Sequence, residues 1–144
     1  MIRALHHVAI LSSDLNDSAK FYCDVLGMHV VCRKNSEFMQ GAKRKIIFLT
    51  LDGCCIELIE SGQGGSLKNE PLSETNVLAN TSGIIHVGFE VDDLENTITE
   101  LEAQGIHFLR KFYRHGSRNH HIGIAWLQDP DGTIIELMSR RDVY

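Results

Sequence analysis

Between residues 5 and 12 the chain alternates at the two-residue period of a strand, with His7, Ala9 and Leu11 on one face and His6, Val8 and Ile10 on the other. The period then lengthens. Leu15, Ala19, Tyr22, Val25 and Leu26 form a stripe at helical spacing and predict a helix over about 15–26. Ser13 or Asp14 is placed to cap its start, and Gly27 to end it. Met28–Cys32 reads as a second strand. Residues 33–44 are polar and basic, contain Gly41, and read as a loop anchored by Phe38 and Met39. Lys45–Leu51 and Cys54–Glu60 read as strands joined by Asp52-Gly53, a strong hairpin turn. On the latter strand Glu57 and Ile59 share one face, and Ile56 and Leu58 the other.

Residues 61–83, opening on Ser61-Gly62-Gln63-Gly64-Gly65, form a linker too long for the interior of a compact domain and suited to joining two modules. The order of elements then repeats. A strand is expected over about 84–91, and a helix over about 94–104, capped at Asp92 or Asp93 and ended by Gly105. A strand over about 106–113 follows, then a loop from Arg114 to His120. Last comes a hairpin of His121–Gln128 and Thr133–Met138 around Asp129-Pro130-Asp131-Gly132. The prediction is an α+β fold of two βαβββ modules in one domain over 1–144: module one about 4–60, linker about 61–83, module two about 84–140.

The repeat is visible residue by residue. His7 and His86, Asp14 and Asp93, Leu15 and Leu94, and Glu57 and Glu136 are each 79 positions apart. Each module therefore carries a His and a Glu 50 residues apart. Several markers in one register indicate an internal duplication.

Composition narrows the function. A net charge of −5 over 144 residues leaves no basic footprint for neutralising phosphates, so nucleic acid is not an expected partner. No apolar run approaches a membrane span, and the first residues carry no secretory core, so a cytoplasmic chain is expected. Cys23, Cys32, Cys54 and Cys55 have no C-x-x-C spacing and read as reduced thiols.

The candidate chemistry lies in His7, Glu57, His86 and Glu136. Each falls on a predicted strand among apolar neighbours, where a charge is costly without a partner. Two imidazoles and two carboxylates around a divalent cation satisfy that need, and two negative charges balance the ion. Mixed nitrogen and oxygen donors suit borderline ions such as Zn, Ni, Co, Fe or Mn. A satisfied core histidine and an edge-strand glutamate are the plainer reading of any one of the four. Arg114, Arg118 and His121, in or beside the one dense basic stretch, read either as a clamp for an anionic substrate tail or as a solvated loop. Trp126 reads either as core or as a substrate-stacking surface.

His7-Val8-Ala9-Ile10, Phe21-Tyr22-x-x-Val25-Leu26-Gly27-Met28, Ile56-Glu57-Leu58, Ile85-His86-Val87-Gly88-Phe89-Glu90-Val91-Asp92 and Asp129-Pro130-Asp131-Gly132-x-x-Ile135-Glu136-Leu137 together resemble the vicinal oxygen chelate superfamily. That superfamily holds glyoxalase I, bleomycin-resistance proteins, extradiol dioxygenases and methylmalonyl-CoA epimerase. The resemblance implies curved half-sheets cupping one divalent ion, with metal ligands at His7, Glu57, His86 and Glu136. It also implies a homodimer and a small-molecule substrate, and it leaves open whether a site belongs to one chain or is shared by two. His6 should point to the face opposite His7.

The His/Glu/His/Glu set is most similar to glyoxalase I. It implies a metal-dependent lyase or isomerase that chelates a hemithioacetal through two vicinal oxygens, with Glu136, and Glu57 opposite it, moving the proton. The alternatives are a Fe- or Mn-dependent ring-cleaving dioxygenase, an epimerase, or a non-catalytic drug- or metabolite-binding protein. Leu11 and Ser61 stand where glyoxalase I carries the Arg and Asn that grip the glutathione carboxylate. Gln40 stands nearest the epimerase base, and Trp126 nearest the dioxygenase Tyr.

Overall fold

The computed structural model describes residues 2–37, 43–62, 83–115 and 121–139. The chain divides into two compact units, Met1–Lys68 and Asn69–Tyr144. In the first, β1 (Val8–Ser12) leads into α1 (Leu15–Asp24), then β2 (His29–Glu37), β3 (Lys43–Leu51) and β4 (Cys54–Glu60). In the second, β5 (Val87–Val91) leads into α2 (Leu94–Ala103), then β6 (Phe108–His115), β7 (His121–Gln128) and β8 (Ile134–Ser139). Each unit is a βαβββ module, as the pattern predicts.

The sheets share one topology. The first is ordered β1-β4-β3-β2 and the second β5-β8-β7-β6. The first strand pairs parallel to the last, and the other pairs are antiparallel. The outer strands β2 and β6 each carry a register shift near their start, between Val30 and Cys32 and between Phe108 and Arg110. A bulge bends the strand that bears it and increases its twist. The duplication therefore extends to an irregularity near the start of each outer strand.

Local chemistry explains the elements. Asp14 caps α1 by accepting from the Asn16 and Asp17 amides, at 2.9 and 3.1 Å. Asp93 caps α2 through the Asn96 amide at 2.9 Å. Each cap satisfies amides that the first helical turn leaves without partners. At the end of α2, Gly105 takes φ +85 and its amide reaches the Glu102 carbonyl. The Ile106 amide reaches back to Leu101 at 3.0 Å. Asp52 and Gly53, at φ 45 and 85, form the tight hairpin turn between β3 and β4. The longer turn before β8 is held by Asp129, whose buried carboxylate accepts from the Asp131 and Thr133 amides.

One face of each sheet is covered by its helix. α1 packs on β2, β3 and β4, and α2 on β7 and β8. Tyr22 and Ala19 meet a core that includes Leu49, Ile56 and Leu58, while Leu94, Ile98 and Leu101 serve the core of Leu127, Ile135 and Leu137. Buried Ser12 and Ser18 satisfy each other at 2.7 Å and tie α1 to β1. Glu57 and Glu136 alternate with Leu58 and Leu137, and so stand on the face away from the helix.

Three expectations change. Residues 33–37 belong to β2, and β3 begins at Lys43, where a loop over 33–44 was expected. The polar run is an edge strand: Arg33 through Glu37 pair with Ile47 through Lys43, and edges tolerate charge. Similarly, Arg114 and His115 continue β6. Second, His7 and His86 stand immediately before β1 and β5, not within them. Third, His6 does not turn away from His7. Strand alternation has not begun at residues 6 and 7, and their Nδ1 atoms lie 2.8 Å apart. Most of the expected linker, residues 63–82, and the loop residues 116–120 lie outside the described residues. Among the described residues no helix is long and apolar enough to cross a membrane.

Candidate functional site

The strand registers place each glutamate. In module one Glu57 on β4 lies opposite Ala9 on β1 and Phe48 on β3. In module two Glu136 on β8 lies opposite Gly88 on β5 and Trp126 on β7. The parallel pairing of first and last strands brings each histidine, just ahead of its strand, to the glutamate in the middle of the other. His7 Nε2 is 3.2 Å from Glu57 Oε2, and His86 Nε2 is 3.6 Å from Glu136 Oε1. Exposure matches closely: the histidine side chains are 34% and 33% accessible, the glutamates 13% and 11%. The duplication seen in sequence is therefore a duplicated imidazole–carboxylate pair in space.

The predicted residues thus come together two by two. Among the described residues no three His, Cys, Asp or Glu side chains gather into one group. Within each pair the donor types and their spacing nevertheless fit two neighbouring ligands of a divalent ion. Two ligands bound at about 2.0–2.2 Å and about 90–109° apart at the ion are separated by about 2.8–3.6 Å. Both observed separations lie in that range. The 3.6 Å separation is too long for a hydrogen bond and lies within the reach of an ion pair.

Aromatic rings flank both pairs. The Phe48 ring meets His7 edge-on, with centroids 5.7 Å apart, and the Trp126 ring lies 6.0 Å from His86. A cation sits over each ring, Lys34 Nζ 5.0 Å from the Phe48 centroid and Arg110 Cζ 5.6 Å from that of Trp126. The Trp126 indole N–H also donates to Glu136 Oε2 at 2.6 Å, with both residues buried. Trp126 and Ile134 form a buried apolar cluster with Ile124 beside them.

Sequence reasoning considered Trp126 but missed this bond. The strand register that carries it does not follow from the 79-residue shift, because Phe48 and Trp126 are 78 apart. The longer turn before β8 supplies the difference. The imidazoles differ as well: His7 Nδ1 meets His6, whereas His86 Nδ1 is buried with no hydrogen-bond partner among the described residues.

All four cysteines are free thiols. Cys55, two residues before Glu57, is pushed above the ordinary thiol range by burial first, then by the Glu57 carboxylate and Cys32. Leu11 shares the Glu57 face of its sheet and is 57% exposed. Of the expected anion clamp, Arg114 and His121 have described backbones in β6 and β7, but their side chains, and all of Arg118, lie outside the described residues. Gln40 also lies outside them.

Over 155 residues the chain is 29% identical to a lactoylglutathione lyase of Schizosaccharomyces pombe, covering 96% of this chain and 48% of that protein. It is 27% identical to a probable lactoylglutathione lyase of Synechocystis, with 93% of each covered. The chain spans about half the length of the yeast relatives it matches. The crystal structure of a glyoxalase family protein from Enterococcus faecalis shares the fold, with a TM-score of 0.70 at 24% identity, covering 95% of this chain and 98% of that one. Residues 4–137 match the model of the Glyoxalase/Bleomycin resistance protein/Dioxygenase superfamily. The chain, built of two βαβββ modules, belongs to that superfamily.

Proposed function

We propose that the chain is a metal-dependent lyase or isomerase of glyoxalase I type, acting on a small substrate that presents two neighbouring oxygens. The observation that carries this reading is the duplicated His–Glu pair, at 3.2 and 3.6 Å, on the sheet face away from the helix. His7, Glu57, His86 and Glu136 would hold one divalent ion, Ni, Zn or Co before Fe or Mn. Each pair is completed by a second pair from the same chain or from another copy in a homodimer. When bound, the ion supplies Lewis-acid polarisation of the substrate oxygens and so acidifies the C–H bond between them.

The chain's own residues supply the rest. Glu57 and Glu136 are the carboxylates within reach of a proton on a substrate chelated beside them, and a positioned carboxylate is a competent proton carrier. The C–H bond would break with its electron pair staying on the substrate, the proton would rest on a carboxylate oxygen and return to the neighbouring carbon, and the hydroxyl proton would pass from the first substrate oxygen to the second. The helix-covered face behind each sheet keeps the strands rigid, so the carboxylates keep their positions. Exposed Leu11 presents apolar surface where a guanidinium would grip a glutathione carboxylate, which favours a different thiol partner. Arg114, Arg118 and His121 would serve as the clamp for an anionic substrate tail.

Elemental analysis of the purified protein tests the ion. A panel of hemithioacetals, made from methylglyoxal with glutathione and with other thiols, tests the reaction. Isomerisation of at least one member by metal-replete protein is expected. No turnover across the panel, together with return of ligands unchanged, would leave a binding protein; oxygen uptake with a catechol would make it a dioxygenase.

A further inference from the structure

The two half-sites carry the same ligand types but differ at the glutamate. We propose that Trp126 is a positioning residue for Glu136: its indole N–H pins one carboxylate oxygen and presents the other to the cation. This inference rests on the reading of Glu136 as a ligand given above.

The geometry is specific. An indole N–H can only donate and an ionised carboxylate can only accept, so the direction of the 2.6 Å bond is fixed by the groups themselves. The bond runs to Oε2, leaving Oε1 as the atom that faces His86 Nε2 at 3.6 Å. Each oxygen of Glu136 therefore has its own task. Trp126 and Glu136 are directly opposed on the adjacent strands β7 and β8, so backbone register fixes how the indole approaches the carboxylate. The ring is held as well. It is 6% exposed, carries Arg110 over one face and stands beside His86.

Module one repeats the plan without the bond. Phe48 is directly opposite Glu57, meets His7 with its ring and carries Lys34 over its face. A phenyl ring has no N–H to donate. Hydrogen bonds to the outer atoms of a ligand orient it and tune its hold on the metal. Glu136 has such a bond from its strand neighbour, and Glu57 does not.

The test uses Co²⁺ as probe, because its visible spectrum reports the geometry of its ligands. Metal-free wild type and Trp126→Phe are titrated side by side, with circular dichroism confirming that the variant is folded. Binding about 10–100-fold weaker in Trp126→Phe, with an altered Co²⁺ spectrum, is expected for loss of an outer contact. Equal affinity and an identical spectrum overturn the positioning role while leaving the half-sites as ligands. Failure of the wild type to take up Co²⁺ overturns the ligand reading and this inference with it.

A second measurement needs no variant. Trp126 is the sole tryptophan of the chain, so ¹⁵N-labelled protein shows a single indole N–H resonance. That proton should exchange slowly with solvent in both metal-free and Zn²⁺-loaded protein, and Zn²⁺ should shift it. Exchange at the rate of a free indole in the metal-free protein overturns the proposal.

Discussion

The two modules hold the same pair of groups and support them from opposite ends. In module one the imidazole has a neighbour, His6 at Nδ1, while Glu57 lies opposite a phenyl ring. In module two the carboxylate has the neighbour, the Trp126 N–H, while His86 Nδ1 is buried without a partner among the described residues. Duplication has preserved the imidazole and carboxylate groups and their near-equal exposure, but not what stands behind them. Groups that touch an ion are constrained by its charge and spacing, whereas the groups behind them need only orient a ring or a carboxylate. The two pairs are therefore chemically unequal although their groups are the same.

The largest effects should come from the shared features. His7→Ala, Glu57→Ala, His86→Ala and Glu136→Ala are each expected to weaken cation binding by more than about 100-fold, beyond the range for outer contacts. Calorimetric titration measures this; a variant that binds as wild type removes that residue from the set. At saturating cation, Glu57→Gln should lose more turnover than Glu136→Gln, because the carboxylate without an indole donor is the freer one to carry a proton. The opposite order in steady-state kinetics would make Glu136 the principal proton carrier, as the resemblance to glyoxalase I implies.

The folded scaffold comes next. Leu58 and Leu137 are equivalent core positions, 0% and 2% exposed, and truncation of either to Ala should cost about 2–5 kcal/mol in denaturant unfolding. Free cation at about 100 times its Kd should stabilise the protein by about 2.7 kcal/mol, and chelation should remove that gain. Identical melting curves with and without chelator would argue against a bound ion in the native state.

Smaller effects probe the asymmetry. His6→Ala should weaken the cation by about tenfold, at the low end for an outer contact, since the pair it belongs to is more exposed than the Trp126 bond. Module one also ends β4 with Glu60, where module two has Ser139. The Lys45 side chain donates to Glu60, and its backbone amide adds a longer contact; these hold the carboxyl below its usual range. A carboxyl whose folded-state pKa is depressed contributes stability that is present at neutral pH and lost as pH falls through that lowered value. Lys45→Met should shift the Glu60 titration upward, measured by carboxyl NMR, with little change in stability for so exposed a pair.

Much of this was legible in the chain. Asp14, Asp93 and Gly105 act as sequence rules say, because caps are local. Asp52-Gly53 sets its hairpin for the same reason. The His and Glu positions were marked by a shift that any duplicated fold preserves. The rest depended on pairing. Arg33 to Glu37 read as a loop because an edge strand needs no apolar face, and only the ladder to β3 shows that it is a strand. The equivalence of Phe48 and Trp126 was hidden by the extra length of the Asp129 to Thr133 turn. It appears only when each aromatic residue is matched to the glutamate across from it. His6 departs from the expected alternation because it and His7 precede β1.

The central claim is that a pair from each module contributes to the same cation. It is tested most directly by calorimetric titration of the metal-free chain with Ni²⁺ or Zn²⁺, alongside His7→Ala and His86→Ala. The account predicts a single ion per chain in wild type, and loss of that same binding event in both variants. Two independent binding events, each abolished by substitution in its own module alone, would contradict it, as would no binding at all.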